Sequence, residues 1–169
     1  MGALAGELQR PAFELLDGGN HAEPAWRWFC GRCAAPPKSG DALPSVHRVC
    51  ASCGFGLLLQ ARSDEVPGGG SAYLVVDSSF AVQALSHAAE NYLGITEAHA
   101  LNRHVTELLI PADRSAGGSA NLAIALSTAA RGDGPPSQAT VCRSNTFGER
   151  IRARITPCGP PPAALVVLD

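Results

Sequence analysis

The hydrophobic pattern of the chain predicts strands of two kinds in its second half. Residues 73–76 and 163–168 are apolar at consecutive positions, which indicates strands that are buried on both faces. Residues 149–156 instead alternate Arg150, Arg152 and Arg154 with Ile151, Ala153 and Ile155. Such alternation predicts a strand with one face in water and the other in the core.

Between these strands the apolar residues follow a helical period. Ser86 is placed to cap a helix that ends at Gly94, and Thr96 is placed to cap a second, short helix that runs to Leu101. Residues 105–110 form an apolar turn before Pro111, and residues 122–129 carry the spacing of a longer helix.

The remaining apolar segments complete the predicted order of elements. Residues 80–85 pair with residues 73–76 as a hairpin, and residues 138–143 form a further strand. The resulting order is two strands, several short helices, one longer helix and three strands. This order predicts an α+β fold.

The first 71 residues divide into three segments. Residues 1–24 form a leader with at most one short helix, and residues 25–62 form a cysteine-containing module. Residues 63–71 contain Pro67-Gly68-Gly69-Gly70 and are predicted to be a linker. We therefore expect residues 72–169 to form the main domain.

The composition is that of a globular protein that lies outside the membrane. It is 46% hydrophobic and 17% charged, with a net charge of −2, so it gives no general reason to expect nucleic acid or an anionic membrane as partner. The leader lacks a basic region followed by an apolar core, so no secretory signal is expected. A cytoplasmic location follows, and the strong preference for arginine over lysine indicates a bacterial source.

Four of the six cysteines form two Cys-x-x-Cys pairs. Cys30 and Cys33 are followed after sixteen residues by Cys50 and Cys53, a spacing typical of four-thiolate zinc sites. Each pair turns its two sulfurs inward on a tight knuckle, and two knuckles complete a tetrahedron about one ion. Disulfide formation and a dithiol redox function are the alternatives for each pair alone, and His47 is an alternative ligand.

The cysteine module resembles a zinc ribbon. A segment of about 38 residues cannot bury an adequate core, so the metal would stabilise its fold directly. Four protein ligands leave no position for a catalytic water, which predicts one structural zinc ion.

The opening of the second unit resembles a PAS domain. The resemblance rests on an ordered series of motifs: Leu74-Val75-Val76-Asp77, Leu85-Ser86-His87-Ala88-Ala89-Glu90, Leu93-Gly94-Ile95-Thr96-Glu97, residues 101–109 and Pro111-Ala112-Asp113. Two residues depart from the family pattern, since Ser86 and Asn102 stand where the family often has Asn and Gly. The resemblance covers residues 72–169 and is densest over the first forty.

The PAS resemblance implies a five-stranded antiparallel sheet with helices on one face, in which the first and last strands are neighbours. The outer surface of these central strands then needs a cover. The leader, the zinc ribbon and a second copy of the chain are the candidates, so a homodimer is one expectation.

The resemblance also implies a function in signalling, without a particular ligand. The family's flavin-binding cysteine has no counterpart in residues 104–108, and residues 121–131 lack the histidine of haem-binding members. Neither a covalent flavin adduct nor haem is therefore expected, and the ligand-binding residues are unknown. No phosphate loop, nucleophile elbow or metalloprotease motif occurs, so no enzymatic activity is expected.

The main hypothesis is a cytoplasmic sensory or regulatory protein that acts through a partner protein. The first alternative is a transcription-associated adaptor whose ribbon contacts nucleic acid or polymerase, since Arg27, Arg32 and Arg48 lie near the knuckles. The second alternative is a thiol-redox enzyme. Cys142 and Cys158 are expected to be small, buried side chains.

Overall fold

The structure is a computed structural model, and it describes residues 25–38, 48–113, 116–144, 146 and 149–169. The predicted leader, most of the loop after Lys38 and His47 lie outside these residues. The strands are β1 (Trp26–Cys30), β2 (Leu58–Arg62), β3 (Ala72–Val76), β4 (Val82–Leu85), β5 (Leu109–Pro111), β6 (Ser137–Arg143), β7 (Ile151–Gly159) and β8 (Ala163–Leu168). The helices are α1 (His87–Leu93), α2 (Glu97–Ala100), a 3₁₀ turn (Val105–Glu107) and α3 (Ala116–Ala130). None of the helices in these ranges is long and apolar enough to cross a membrane.

All strands of the described ranges belong to one antiparallel sheet. Its main order is β1-β2-β7-β8-β3-β4, and β6 pairs with both β7 and β5. The first and last strands of the second unit are neighbours, with Leu74 opposite Val166. This confirms the adjacency that the PAS resemblance implies.

The described part of residues 72–169 contributes six strands to the sheet, β3 to β8, where five were expected. The extra strand is β5, a segment that the sequence predicts as an apolar turn but that pairs with β6 through Ile110 and Cys142. The β1–β2 pair of the cysteine module then joins the same sheet at the edge of β7, where Ala61 lies opposite Cys158. Both additions depend on pairing between distant segments, which local sequence patterns do not encode.

The helices lie on one face of the sheet and cover the larger core. This core contains alternate residues of the central strands, such as Leu74 and Val166, together with Leu93 of α1 and Leu126 of α3. The arrangement is an antiparallel α+β fold of the kind that the PAS resemblance implies. The polar face of β7 is also as predicted, since Arg152 is exposed while Ala153 and Ile155 are buried.

The opposite face of the central strands is covered by the cysteine module. Tyr73 of β3 and Leu165 of β8 are fully buried in a second core together with Phe29 and Leu59 of the module. The Phe29 and Tyr73 rings meet edge to face with their centres 6.3 Å apart. Of the three candidates for a cover, the structure therefore places the module on this surface.

Two residues that depart from the family pattern fit their positions for clear physical reasons. The Ser86 hydroxyl accepts hydrogen bonds from the backbone N–H groups of Ala89 and Tyr73, so it both caps α1 and ties the helix to β3. Asn102 adopts a left-handed conformation with φ of 62°, which asparagine tolerates better than most residues other than glycine.

A buried hydrogen bond joins the main domain to the cysteine module. The Tyr73 hydroxyl donates to the Cys30 carbonyl over 2.9 Å. Burial raises the pKa of this hydroxyl, so it stays protonated and remains a donor. The bond therefore holds the end of β1 against the outer face of the sheet.

The predicted linker contributes an ion pair to the sheet. Arg154 of β7 lies 2.8 Å from Glu65 and 2.6 Å from Asp169 at the end of β8. The division of the chain at residues 63–71 stays a prediction, but the segments on its two sides share one sheet and one core.

We expect the Tyr73→Phe variant to lower the free energy of unfolding by about 1 kcal/mol, because it removes a buried hydrogen bond and leaves the ring in place. Chemical denaturation of the zinc-loaded protein measures the change. Tyr92→Phe is the matched control, since the buried Tyr92 hydroxyl has no hydrogen-bond partner within the described ranges. Equal destabilisation by the two variants would contradict the importance of the Tyr73 bond.

Candidate metal centre

The four predicted ligands lie together at the end of β1. The sulfurs of Cys30, Cys33, Cys50 and Cys53 are all within 4.8 Å of one another, and none forms a disulfide. The Cys30–Cys53 and Cys33–Cys50 sulfur pairs are 3.7 and 3.8 Å apart. A tetrahedron with zinc–sulfur bonds of about 2.3 Å has edges of about 3.8 Å, so these sulfurs have the spacing that one zinc ion needs.

The two knuckles repeat the same backbone pattern. In the first, the N–H groups of Arg32 and Ala34 donate to the sulfur and the carbonyl of Cys30. In the second, the N–H groups of Ser52 and Gly54 make the equivalent bonds to Cys50. Such N–H donors stabilise the thiolate form that a metal requires.

Small residues permit the sharp turn after each knuckle. Gly54 has φ of 73° and Ala34, at the equivalent position, has φ of 59°, so both occupy the left-handed region. Gly56 is required for a different reason. A Cβ atom at this position would lie only 2.2 Å from the Cys30 sulfur and 2.9 Å from the Arg32 Cβ.

The thiols differ in acidity because their surroundings differ. Burial raises the pKa of Cys30 and of Cys33. Burial acts in the same direction on Cys53, but hydrogen bonds from the Phe55 and Gly56 backbone and from the neighbouring thiols of Cys30 and Cys33 together lower the pKa of Cys53 to about 7. A divalent cation would offset the cost of the buried thiolates, and a cluster of four thiols is the donor set that zinc prefers.

Arg32 connects the first knuckle to the second knuckle and to the helices. Its Nε lies 3.2 Å from a Glu97 carboxylate oxygen, and its guanidinium lies 5.4 Å from the Phe55 ring centre. The other Glu97 oxygen accepts a hydrogen bond from the Leu85 backbone of β4. Arg32 therefore links the first knuckle to Phe55 of the second knuckle and, through Glu97, to β4.

The remaining candidate residues have local roles. His87 contacts Glu90 within α1, and His99 of α2 contacts Thr96, the residue before that helix. His104 caps the 3₁₀ turn. Burial raises the pKa of Cys158 to about 12, so this thiol stays protonated in the second core. Cys142 is half-buried on β6.

Sequence reasoning finds all four cysteines of the cluster, and the glycines of Gly54-Phe55-Gly56 indicate the sharp turn at the second knuckle. It misses Tyr73 and Glu97, which hold the cluster in place. Both contact the first knuckle from segments far along the chain, and no local sequence signal predicts such contacts. The alternative ligand His47 lies outside the described residues, so its part in the site stays a hypothesis.

Comparison with known proteins gives little further information. No family model and no curated protein matches the chain. Among solved structures, the chain is similar to the PAS domain of nitrogen regulation protein NR(II) from Vibrio parahaemolyticus, with 16% sequence identity and a TM-score of 0.41. The match covers 59% of this chain and 88% of that chain. A likeness of this extent carries no argument about function.

We expect the purified protein to contain one zinc ion per chain, because the four sulfurs form a complete tetrahedral donor set. Native mass spectrometry measures this stoichiometry. Cys50→Ser should weaken zinc binding at least tenfold in competition with a chelator, whereas the control Cys142→Ser, outside the cluster, should leave it unchanged. Equal zinc affinity in both variants would exclude the site.

We expect Gly56→Ala to lower the zinc affinity by about tenfold or more, since the added methyl group would displace the Cys30 sulfur or the Arg32 backbone. Chelator competition measures the affinity. Gly70→Ala is the matched control, because a Cβ atom there would meet nothing within 4 Å. An unchanged affinity in Gly56→Ala would contradict the close approach of the two knuckles.

Proposed function

We propose that this chain is a regulatory protein in which a PAS-like domain changes state and passes that change to a partner protein. A zinc ion in the cysteine module has a structural role in this proposal, and the protein performs no catalysis. The observation that carries the proposal is the packing of the cysteine module on the outer face of the sheet. This packing joins the module and the domain through a shared core and a shared sheet.

The closed geometry of the cysteine cluster supports a structural metal. Four thiolates would fill the tetrahedral positions of zinc, so no position remains for a reacting water. The backbone N–H groups of Arg32 and Gly56 donate to the sulfurs of Cys30 and Cys53, which suits thiolates held as metal ligands. Thiols that remain available to metal fit a reducing cytoplasm, which we include in the proposal.

An open groove between α3 and β6 supports the sensing part of the proposal. Ile124, Ala125 and Thr128 line its helix side, and Pro135 and Gln138 line its sheet side. Ile124 is 63% exposed, which is unusual for a large apolar side chain on a helix that borders the core. A small, largely apolar ligand that fills this groove would change how α3 rests on the sheet.

The second candidate function is contact with nucleic acid through the cysteine module. One observation favours it. Within residues 25–38 and 48–62 the module carries five basic residues, Arg27, Arg32, Lys38, Arg48 and Arg62, and no carboxylate. Four thiolates around a zinc ion carry net negative charge, which offsets part of this positive charge, so we rank this function second.

We expect the native mass of the purified protein to exceed that of the chain plus one zinc ion, because a small molecule occupies the groove. Ala125→Leu, which narrows the groove, should remove this additional mass. Ala123→Leu, an exposed position on the same helix, is the matched control. If both the monomer and the dimer of the native chain have only the mass of protein and zinc, ligand sensing is contradicted.

Binding of duplex DNA and single-stranded RNA at low salt separates the two candidate functions. The regulatory proposal predicts no binding of either. Binding that weakens steeply with added salt and is lost on Arg27→Glu would instead favour the nucleic-acid function.

A further inference from the structure

The β1 strand is an open edge of the sheet. Ser63 N–H donates to the Ala25 carbonyl and Gly31 N–H donates to the Leu57 carbonyl, which fixes the hydrogen-bonding register between β1 and β2. Because bonding and non-bonding pairs alternate in an antiparallel ladder, Trp26 and Trp28 direct their backbone N–H and C=O groups away from β2. Among the residues that the structure describes, no backbone group forms a hydrogen bond with the N–H or C=O groups of Trp26 and Trp28.

This edge lacks proline and a β-bulge, two of the devices that commonly protect edge strands. β1 contains no proline, its register with β2 is regular over all five residues, and Trp26 at its start is 52% exposed. Exposed edges of this kind accept an additional strand from another chain. The β4 edge differs, since the backbone of Val82 already bonds to Asn102 and Arg103.

The charge around β1 selects the kind of strand that fits. Arg27 is exposed on β1, and the Arg48 guanidinium lies 5.9 Å from the Trp28 ring centre. A second copy of the chain paired through β1 would bring these arginines against their own equivalents, which is unfavourable. Arg27 and the Trp28–Arg48 pair lie on opposite faces of β1, so an acidic partner strand would meet a positive charge on either face.

The Arg48 charge lies beside the Trp28 face of this edge. Its Nη2 donates to the carbonyls of Leu58 and Pro160, which holds the guanidinium in place. A residue opposite Trp28 on an added strand would have its side chain on the Trp28 face, with the two Cβ atoms about 5 Å apart. A glutamate there would be attracted by the Arg48 charge.

We propose that the β1 edge of the cysteine module binds an extended, acidic segment of a partner protein by adding it as a further strand of the sheet. The inference rests on the proposed function, because a regulatory protein without catalysis acts through a partner. It identifies where the partner docks and which chemistry recognises it. The strand would extend the sheet beyond β1, at the end opposite β4.

The test uses the zinc-loaded full chain and a synthetic peptide, acetyl-Glu-Val-Glu-Val-Glu-Val-Glu-amide, in calorimetric titration. The matched peptide carries lysine in place of glutamate. We expect the glutamate peptide to bind and the lysine peptide to bind at least tenfold more weakly. Equal binding of the two peptides, or no binding of the glutamate peptide, would overturn the proposal.

Two pairs of variants separate strand pairing from other modes of binding. Trp26→Pro removes an outward N–H group without removing a bond to β2, and we expect it to weaken binding about tenfold. Trp26→Thr keeps that N–H group and should bind within threefold of the native chain. Arg27→Glu should weaken binding at least fivefold, whereas Arg150→Glu, an exposed arginine of the other unit, should not.

Zinc content of one ion per chain in every variant shows that the module is folded. Equal affinity in Trp26→Pro and Trp26→Thr would exclude strand addition. If nucleic acid binds and this binding depends on Arg27, nucleic acid and not an acidic segment binds at this edge. If the chain forms a dimer that Trp26→Pro dissociates, a second copy of the chain binds there instead. If the glutamate peptide does not bind although native mass spectrometry shows a ligand in the groove, the proposed docking site is wrong and the proposed sensing function is not affected.

Discussion

The structure depends on covering the outer face of two central strands. β3 and β8 are apolar on both faces, and the helices cover only one of them. The cysteine module covers the other with Phe29 and Leu59, and its hairpin continues the sheet beyond β7. The dependence is mutual, because a module of this size has little core of its own and gains one by sharing that of the domain.

The cysteine cluster lies where the module is anchored to the sheet. Cys30 ends β1, its carbonyl accepts the Tyr73 hydroxyl, and the neighbouring Arg32 pairs with Glu97 of the helical layer. The cluster is thus connected to the central strands and to the α1–α2 region by separate contacts. A zinc ion that fixes the knuckles would therefore stabilise the position of the whole module and with it the buried outer face.

The surface properties of the two units differ in a way that bears on function. The module presents arginines, the exposed Phe55 ring and an open strand edge, whereas the domain presents a groove beside α3. α3 packs on β7 and β8, and β7 pairs with both β6 and β2. Under the proposed function, a ligand beside β6 and a partner strand at β1 would bind to parts of one sheet that β7 connects.

The sequence by itself determined the elements that depend on local physical chemistry. Cysteine spacing identified the four cysteines that lie together, Ser86 and Gly94 identified the ends of α1, and two-sided apolar runs identified β3 and β8 as strands buried on both faces. The tertiary structure alone decided that β5 is a strand, that β2 joins β7, and that the module covers the outer face. These features arise from contacts between segments distant in the chain, where several partners satisfy the same apolar pattern and only packing selects among them.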